Sequence, residues 1–180
     1  EQGSGAASRT PRGGQFADLD RRSEAAEPYF QSAFSLCHPD SVRCQTVSYL
    51  DLQTMADSDF PHGRLYYTKS GYFSYLDDVT IDRFLDALAT IPSPATQIEL
   101  AYLGGALGQV GADETAFGDR SAPVIVNLLA NWVADAADAL HISWIRSVFA
   151  KLRPAMKPGV YVNFMSGDEQ DRVPEAYQQR

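Results

Sequence analysis

Two amides interrupt apolar runs that otherwise alternate like strands. In GVYVNFMSGDE (159–169) the amide is Asn163, and in SAPVIVNLLANW (121–132) it is Asn127. Period-two alternation puts Tyr161 and Asn163 on one face of the first run and Val160, Val162 and Phe164 on the other. In the second run Ile125, Asn127 and Leu129 share a face opposite Val124, Val126, Leu128 and Ala130. A buried amide without partners costs roughly 1–3 kcal/mol. Each face is therefore turned either to water, as on an edge strand, or to a polar ligand. Amides do not titrate at ordinary pH, so the chemistry they offer is orientation by hydrogen bonds.

Two further stretches carry the same mixture. TQIELAYLGG sets Gln97, Glu99 and Ala101 against Ile98, Leu100 and Tyr102, and RLYYTKSGYF sets Arg64, Tyr66 and Thr68 against Leu65, Tyr67 and Lys69. Glu99 or Lys69 taken singly reads as a solvated side chain. Four such strands together suggest a sheet with one apolar face and one polar-aromatic binding face.

Catalytic templates are scarcer. His38, His62 and His141 fall in two loops and a helix, with no metal-ligand spacing, and no metal site is expected. Cys37 and Cys44 lack CxxC spacing and read as free thiols. No nucleophile elbow, Walker loop or dinucleotide fingerprint occurs, and GALGQVG (105–111) reads as turn chemistry rather than the opening of a helix.

The elements that must position these residues follow from periodicity and punctuation. A helix is expected from about Asp18 to Phe34, an extended stretch over Val42–Tyr49 and one or two helical turns over Leu50–Ala56. Asp57–Gly63 is a loop and Leu65–Phe73 an aromatic-rich strand. A helix over Thr80–Thr90 presents Ile81, Phe84, Leu85 and Leu88 as its apolar stripe and is stopped by Pro92 and Pro94. Strands at Thr96–Leu103 and Ala122–Trp132 come next, then a helix over Ala134–Leu152 with Ile145, Val148, Phe149 and Leu152 inward. The Tyr161 strand and a polar helix with Val173, Ala176 and Tyr177 close the chain. The fold class is α+β: a mainly antiparallel sheet with helices on one face.

At 180 residues, 44% hydrophobic, the chain suffices for one domain with a core. A net charge of −8 argues against a nucleic-acid partner, and no apolar run approaches a membrane span. Glu1–Gly14 is polar and Gly/Ala/Ser-rich, without the character of a signal peptide, and residues 1–23 read as a disordered or boundary segment. The compartment is left open, with a cytoplasmic one favoured.

Several stretches in order, YLGGALGQVGADETAFGDRSAPVIVNLLANW, LRPAMKPGVYVNF and EAYQQR, resemble the C-terminal part of the berberine-bridge-enzyme-like FAD-linked oxidases of the vanillyl-alcohol-oxidase superfamily. The likeness extends upstream through VSYLDLQTMADSDFPHGRLYYTKSGYF and covers about residues 24–180. It implies a substrate-binding domain whose free sheet face lies over FAD. The flavin itself is held mainly by an upstream domain, the partner of this one, which this sequence lacks together with the family's extreme C-terminus. The reaction implied is oxidation of a small organic substrate by hydride transfer to flavin, with dioxygen as acceptor. A non-catalytic α+β binding module, or an orphan fragment, is the alternative.

The resemblance also assigns roles. Tyr161 and Asn163 become flavin contacts; Asn127, Ile125, Phe164 and Tyr67 become substrate contacts. Phe164 stands where relatives often place a Tyr or His that serves as the base, Asn127 where some have Glu or Gln, and Ile125 where others have Lys or Glu. All three departures remove a titrating group, so the base is unassigned, with Tyr67 or a tyrosine of the upstream domain as candidates.

Overall fold

The computed structural model describes residues 31, 35, 45–111, 114, 115, 117, 120–134 and 138–177. The boundary segment 1–23, nearly all of the helix expected over 18–34, and both cysteines lie outside the described residues. The chain divides into two units, residues 12–59 and the remainder. In the first, Tyr49–Thr54 forms helix α1, started by Ser48, whose Oγ accepts from the Asp51 N–H at 3.1 Å.

In the second unit Leu65–Phe73 is strand β1, Asp78–Ala89 helix α2, Thr96–Tyr102 strand β2, Val124–Trp132 strand β3 and Asp138–Leu152 helix α4. A single helical turn, α3 (Ala106–Gln109), follows Gly105, whose φ of +59° suits glycine. The GALGQVG stretch thus does open a helical turn, contrary to expectation. Short helix α5 spans Val173–Tyr177. The three strands form one antiparallel sheet in the order β1-β3-β2. Among the described residues no helix is long and apolar enough to cross a membrane.

The register puts Val124, Val126, Leu128, Ala130 and Trp132 of β3 beside Tyr67, Phe73 and Ile98, and this face carries the core with α2 and α4. Ile145, Val148 and Leu152 of α4 are buried in it, as the stripe predicts, and His141 joins them, its ring stacked 4.8 Å from that of Trp132. On α2 the stripe is rotated. Thr80, Phe84 and Ala87 turn inward, whereas Ile81 and Leu85 are exposed. Small side chains at Thr80 and Ala87 suit a helix that packs mainly on α4, and Phe84 reaches the sheet by an edge contact with Phe73 at 5.9 Å.

The expected strand through Tyr161 is absent. Lys157 makes one bridge to Tyr72, its N–H donating to the Tyr72 carbonyl at 2.8 Å, and the backbone then leaves the sheet. Gly159 turns it, with φ of +115° and a hypothetical Cβ only 3.2 Å from the Tyr72 ring. Its carbonyl is satisfied by Arg172 Nη2 rather than by a ladder. Val162–Phe164 then forms a 3-10 turn.

What occupies the free edge of β1 is the C-terminal segment. Alternate residues of an antiparallel edge strand point their backbone groups outward. Ser166 Oγ accepts from Thr68 N–H at 2.9 Å and donates to Thr68 O at 2.8 Å, while Arg172 Nη1 donates to Ser70 O. Arg172 also binds Glu169 at 2.6 Å, and Glu169 pairs with Lys69 at 3.3 Å. Glu169 and Arg172 are both buried, so each charge needs the other.

Candidate functional site on the second sheet face

Directly opposed residues of antiparallel strands share a face. The second face therefore carries Tyr66, Thr68, Ser70 and Tyr72 of β1, Ile125, Asn127, Leu129 and Asn131 of β3, and Gln97, Glu99 and Ala101 of β2. These are the mixed faces that alternation assigns to the three strands, now brought side by side.

One end of the face is aromatic. Tyr72, Ala122 and Ile125 form a small buried cluster against which Tyr161 and Phe164 pack. A 3-10 turn brings residues three apart to one side. Tyr161 and Phe164 thus meet edge-on at 5.1 Å, where a strand would have separated them. Phe117 lies 5.2 Å from Tyr161 on its other side. Asn163 is exposed, and its Nδ2 donates to the Tyr161 hydroxyl at 2.8 Å.

The middle of the face is a polar row across all three strands. Thr68 Oγ1 donates to Asn127 Oδ1 at 2.5 Å, and Asn127 Nδ2 donates to Glu99 Oε2 at 3.3 Å. Asn127 is almost fully buried between them. At the far end Arg64 Nη1 donates to Asn131 Oδ1 at 2.9 Å, and Asn131 Nδ2 reaches the Ala95 carbonyl. Neither amide is stranded.

Of the residues singled out in the sequence, Ile125, Tyr161 and Phe164 are gathered into one cluster. Asn163 joins through Tyr161, and Asn127 lies on the same face two residues from Ile125. Tyr67 stands apart. It points to the helix-covered side, where its hydroxyl donates to Asp168 at 2.8 Å and accepts from Arg146 Nε at 2.9 Å. Burial pushes the phenol above its ordinary range despite Arg146 and Lys69, which disfavours the phenolate form. Asp168 moves the other way: burial works against it, yet hydrogen bonds from Tyr67 and Arg146 hold its carboxyl below the usual range.

Residues that sequence reasoning missed include Tyr72 and Phe117 in the aromatic end, and the Ser166–Glu169–Arg172 clamp behind β1. The clamp lies in a polar stretch, where composition suggests solvent and gives no sign of burial.

The paired amide and phenol of Asn163 and Tyr161 together present an N–H donor, a carbonyl acceptor and an aromatic surface. No protein-family model matches the chain. It is 28% identical over 134 residues to an FAD-linked oxidoreductase of Dictyostelium discoideum, covering 73% of this chain and 29% of that protein. Two solved structures share the fold. GilR, an oxidoreductase that catalyses the terminal step of gilvocarcin biosynthesis, matches with a TM-score of 0.67 and 19% identity, over 87% of this chain and 36% of its own. BBE-like 1 of Physcomitrella patens matches with a TM-score of 0.70 and 17% identity, over 88% and 37%. The chain spans about a third of the length of these relatives. It is thus related to the FAD-linked oxidoreductases, with the fold of a portion of their berberine-bridge-enzyme-like members.

Proposed function

We propose that this chain is the substrate-side portion of an FAD-dependent oxidoreductase, with its second sheet face turned toward flavin and substrate. The observation that carries this reading is the convergence of Ile125, Asn127, Tyr161 and Phe164 on the one sheet face that α2 and α4 leave uncovered. When bound, the flavin supplies the two-electron chemistry, taking hydride from a small organic substrate and passing electrons on to dioxygen.

The chain's own residues orient and desolvate. Tyr161 and Asn163 hold the flavin edge, Ile125 and Phe164 form an apolar wall that excludes water, and Asn127 orders the polar row of the substrate face. None of Phe164, Ile125 and Asn127 accepts a proton, and Tyr67 faces away. Proton removal, typically worth 10²–10⁴-fold, falls to a group other than these four.

The test compares two proteins. Residues 1–180 alone should purify colourless and inactive, because no described feature cradles a pyrophosphate. The protein encoded by the full reading frame, extended by the flavin domain of its relatives, should carry stoichiometric flavin and release hydrogen peroxide on turnover. A full-length protein without flavin would overturn the reading.

A further inference from the structure

Among the described strand residues Glu99 is the one carboxylate on the second face. It is exposed, and no described cation pairs with it. Its neighbours across the register are all neutral: Ile125, Asn127 and Leu129 on β3, Thr68 beyond them on β1, and Gln97 and Ala101 on its own strand. The phenols of Tyr66, Tyr72 and Tyr161 and the guanidinium of Arg64 are the other ionisable groups of the described face.

The polar row has a direction. Thr68 gives its hydroxyl proton to Asn127 Oδ1, which leaves the amide only its N–H groups to offer on the other side. Asn127 Nδ2 donates to Glu99 Oε2 and holds that carboxylate over the face. The second carboxylate oxygen has no partner among the described residues. The row therefore ends in an acceptor carrying a full negative charge, fixed by a buried amide. Such a terminus is complementary to an O–H or N–H donor, and a charge-assisted hydrogen bond is about twice as strong as a neutral one.

We propose that Glu99 is a specificity-determining residue that anchors a hydroxyl or ammonium group of the substrate, with Asn127 and Thr68 as its positioning residues. The proposal rests on the reading of the second face as the substrate face. It accounts for a face that carries non-titrating side chains at Phe164, Ile125 and Asn127 yet holds one carboxylate, buttressed by a hydrogen-bond row spanning three strands. An apolar ligand would leave that charge desolvated without compensation.

The experiment uses the full-length flavoprotein and reads binding from the flavin absorbance spectrum, with methyl glucoside as the hydroxyl probe and benzylamine as the cationic probe. The native protein should bind one of them with a saturable spectral change, and which one identifies the donor. In Glu99→Gln, which keeps shape and removes charge, that affinity should fall at least tenfold while flavin content and resting spectrum stay unchanged. Thr68→Val, which frees the Asn127 amide to turn, should lower it by a smaller factor. Unchanged affinity in Glu99→Gln overturns the proposal and leaves the substrate-face reading standing, as does a native flavoprotein that binds neither probe. A full-length protein without flavin removes both.

Discussion

The two faces of β3 are built from the same nine residues by different physics. Val124, Val126, Leu128, Ala130 and Trp132 look toward α2 and α4 and are held by packing, to which Trp132 adds one hydrogen bond from its indole N–H to Asp138. Ile125, Asn127, Leu129 and Asn131 look the other way, and there each amide is held by hydrogen bonds: Asn127 by those with Thr68 and Glu99, Asn131 by those with Arg64 and the Ala95 carbonyl among others. A strand buried on both sides for stability alone needs no amides, since satisfied hydrogen bonds add little net free energy over apolar packing. The asymmetry teaches that one face makes the fold and the other is available for work. Substitutions should therefore separate into those that unfold and those that mainly alter binding.

The largest effect is expected on the helix side. Leu128→Ala, at a fully buried position, should destabilise by about 2–5 kcal/mol in chemical denaturation. If the comparison holds, the part that remains folded shows no selective change in flavin or substrate handling. Asn127→Leu sharpens the contrast. It removes two hydrogen bonds but keeps the volume, and Thr68 and Glu99 can turn to water. A cost of about 1–2 kcal/mol is expected, with a disproportionate loss of substrate affinity. Equal loss of stability in the two variants would break the distinction between the faces.

A smaller effect concerns the rim of the helix side, where Asp168 receives hydrogen bonds from Tyr67 and Arg146. Its folded pKa lies below the unfolded value near 4, so its stabilisation is present above about pH 4 and is lost as pH falls through the folded value. Asp168→Asn should lower the melting temperature near neutral pH, and the gap from the native protein should close in acid. A gap that persists at low pH would show that the carboxylate charge is not the cause.

Much of this division was legible in the sequence. Alternation in β1, β2 and β3 sorts their residues onto the faces the register shows, because a buried central strand with flanking partners leaves period two intact. The stripe of α4 was legible for the same reason, since it packs on a broad apolar sheet. The stripe of α2 was not: a helix resting on another helix can bury Thr80 and Ala87, which hydrophobicity does not single out, and leave Leu85 in water. GVYVNF was misread as a strand because its period-two pattern is real but its ladder partner is not. Gly159 turns the backbone, Arg172 takes the carbonyl, and the 3-10 turn joins Tyr161 to Phe164. The aromatic end of the site was thus found by residue type and placed by tertiary contacts that no local pattern encodes.

The central claim is that the second face, and not the helix face, lies at the flavin. Asn163→Asp in the full-length flavoprotein tests it most directly, with Tyr67→Phe as the helix-side control. The substitution exchanges a donor-acceptor amide for an acceptor-only carboxylate of the same size. Beside a reduced flavin, which tends toward an anion, the added charge disfavours reduction. The flavin midpoint potential should therefore become more negative in Asn163→Asp and stay at the native value in Tyr67→Phe. An unchanged potential and spectrum in Asn163→Asp, or a shift of equal size in the control, would contradict the account.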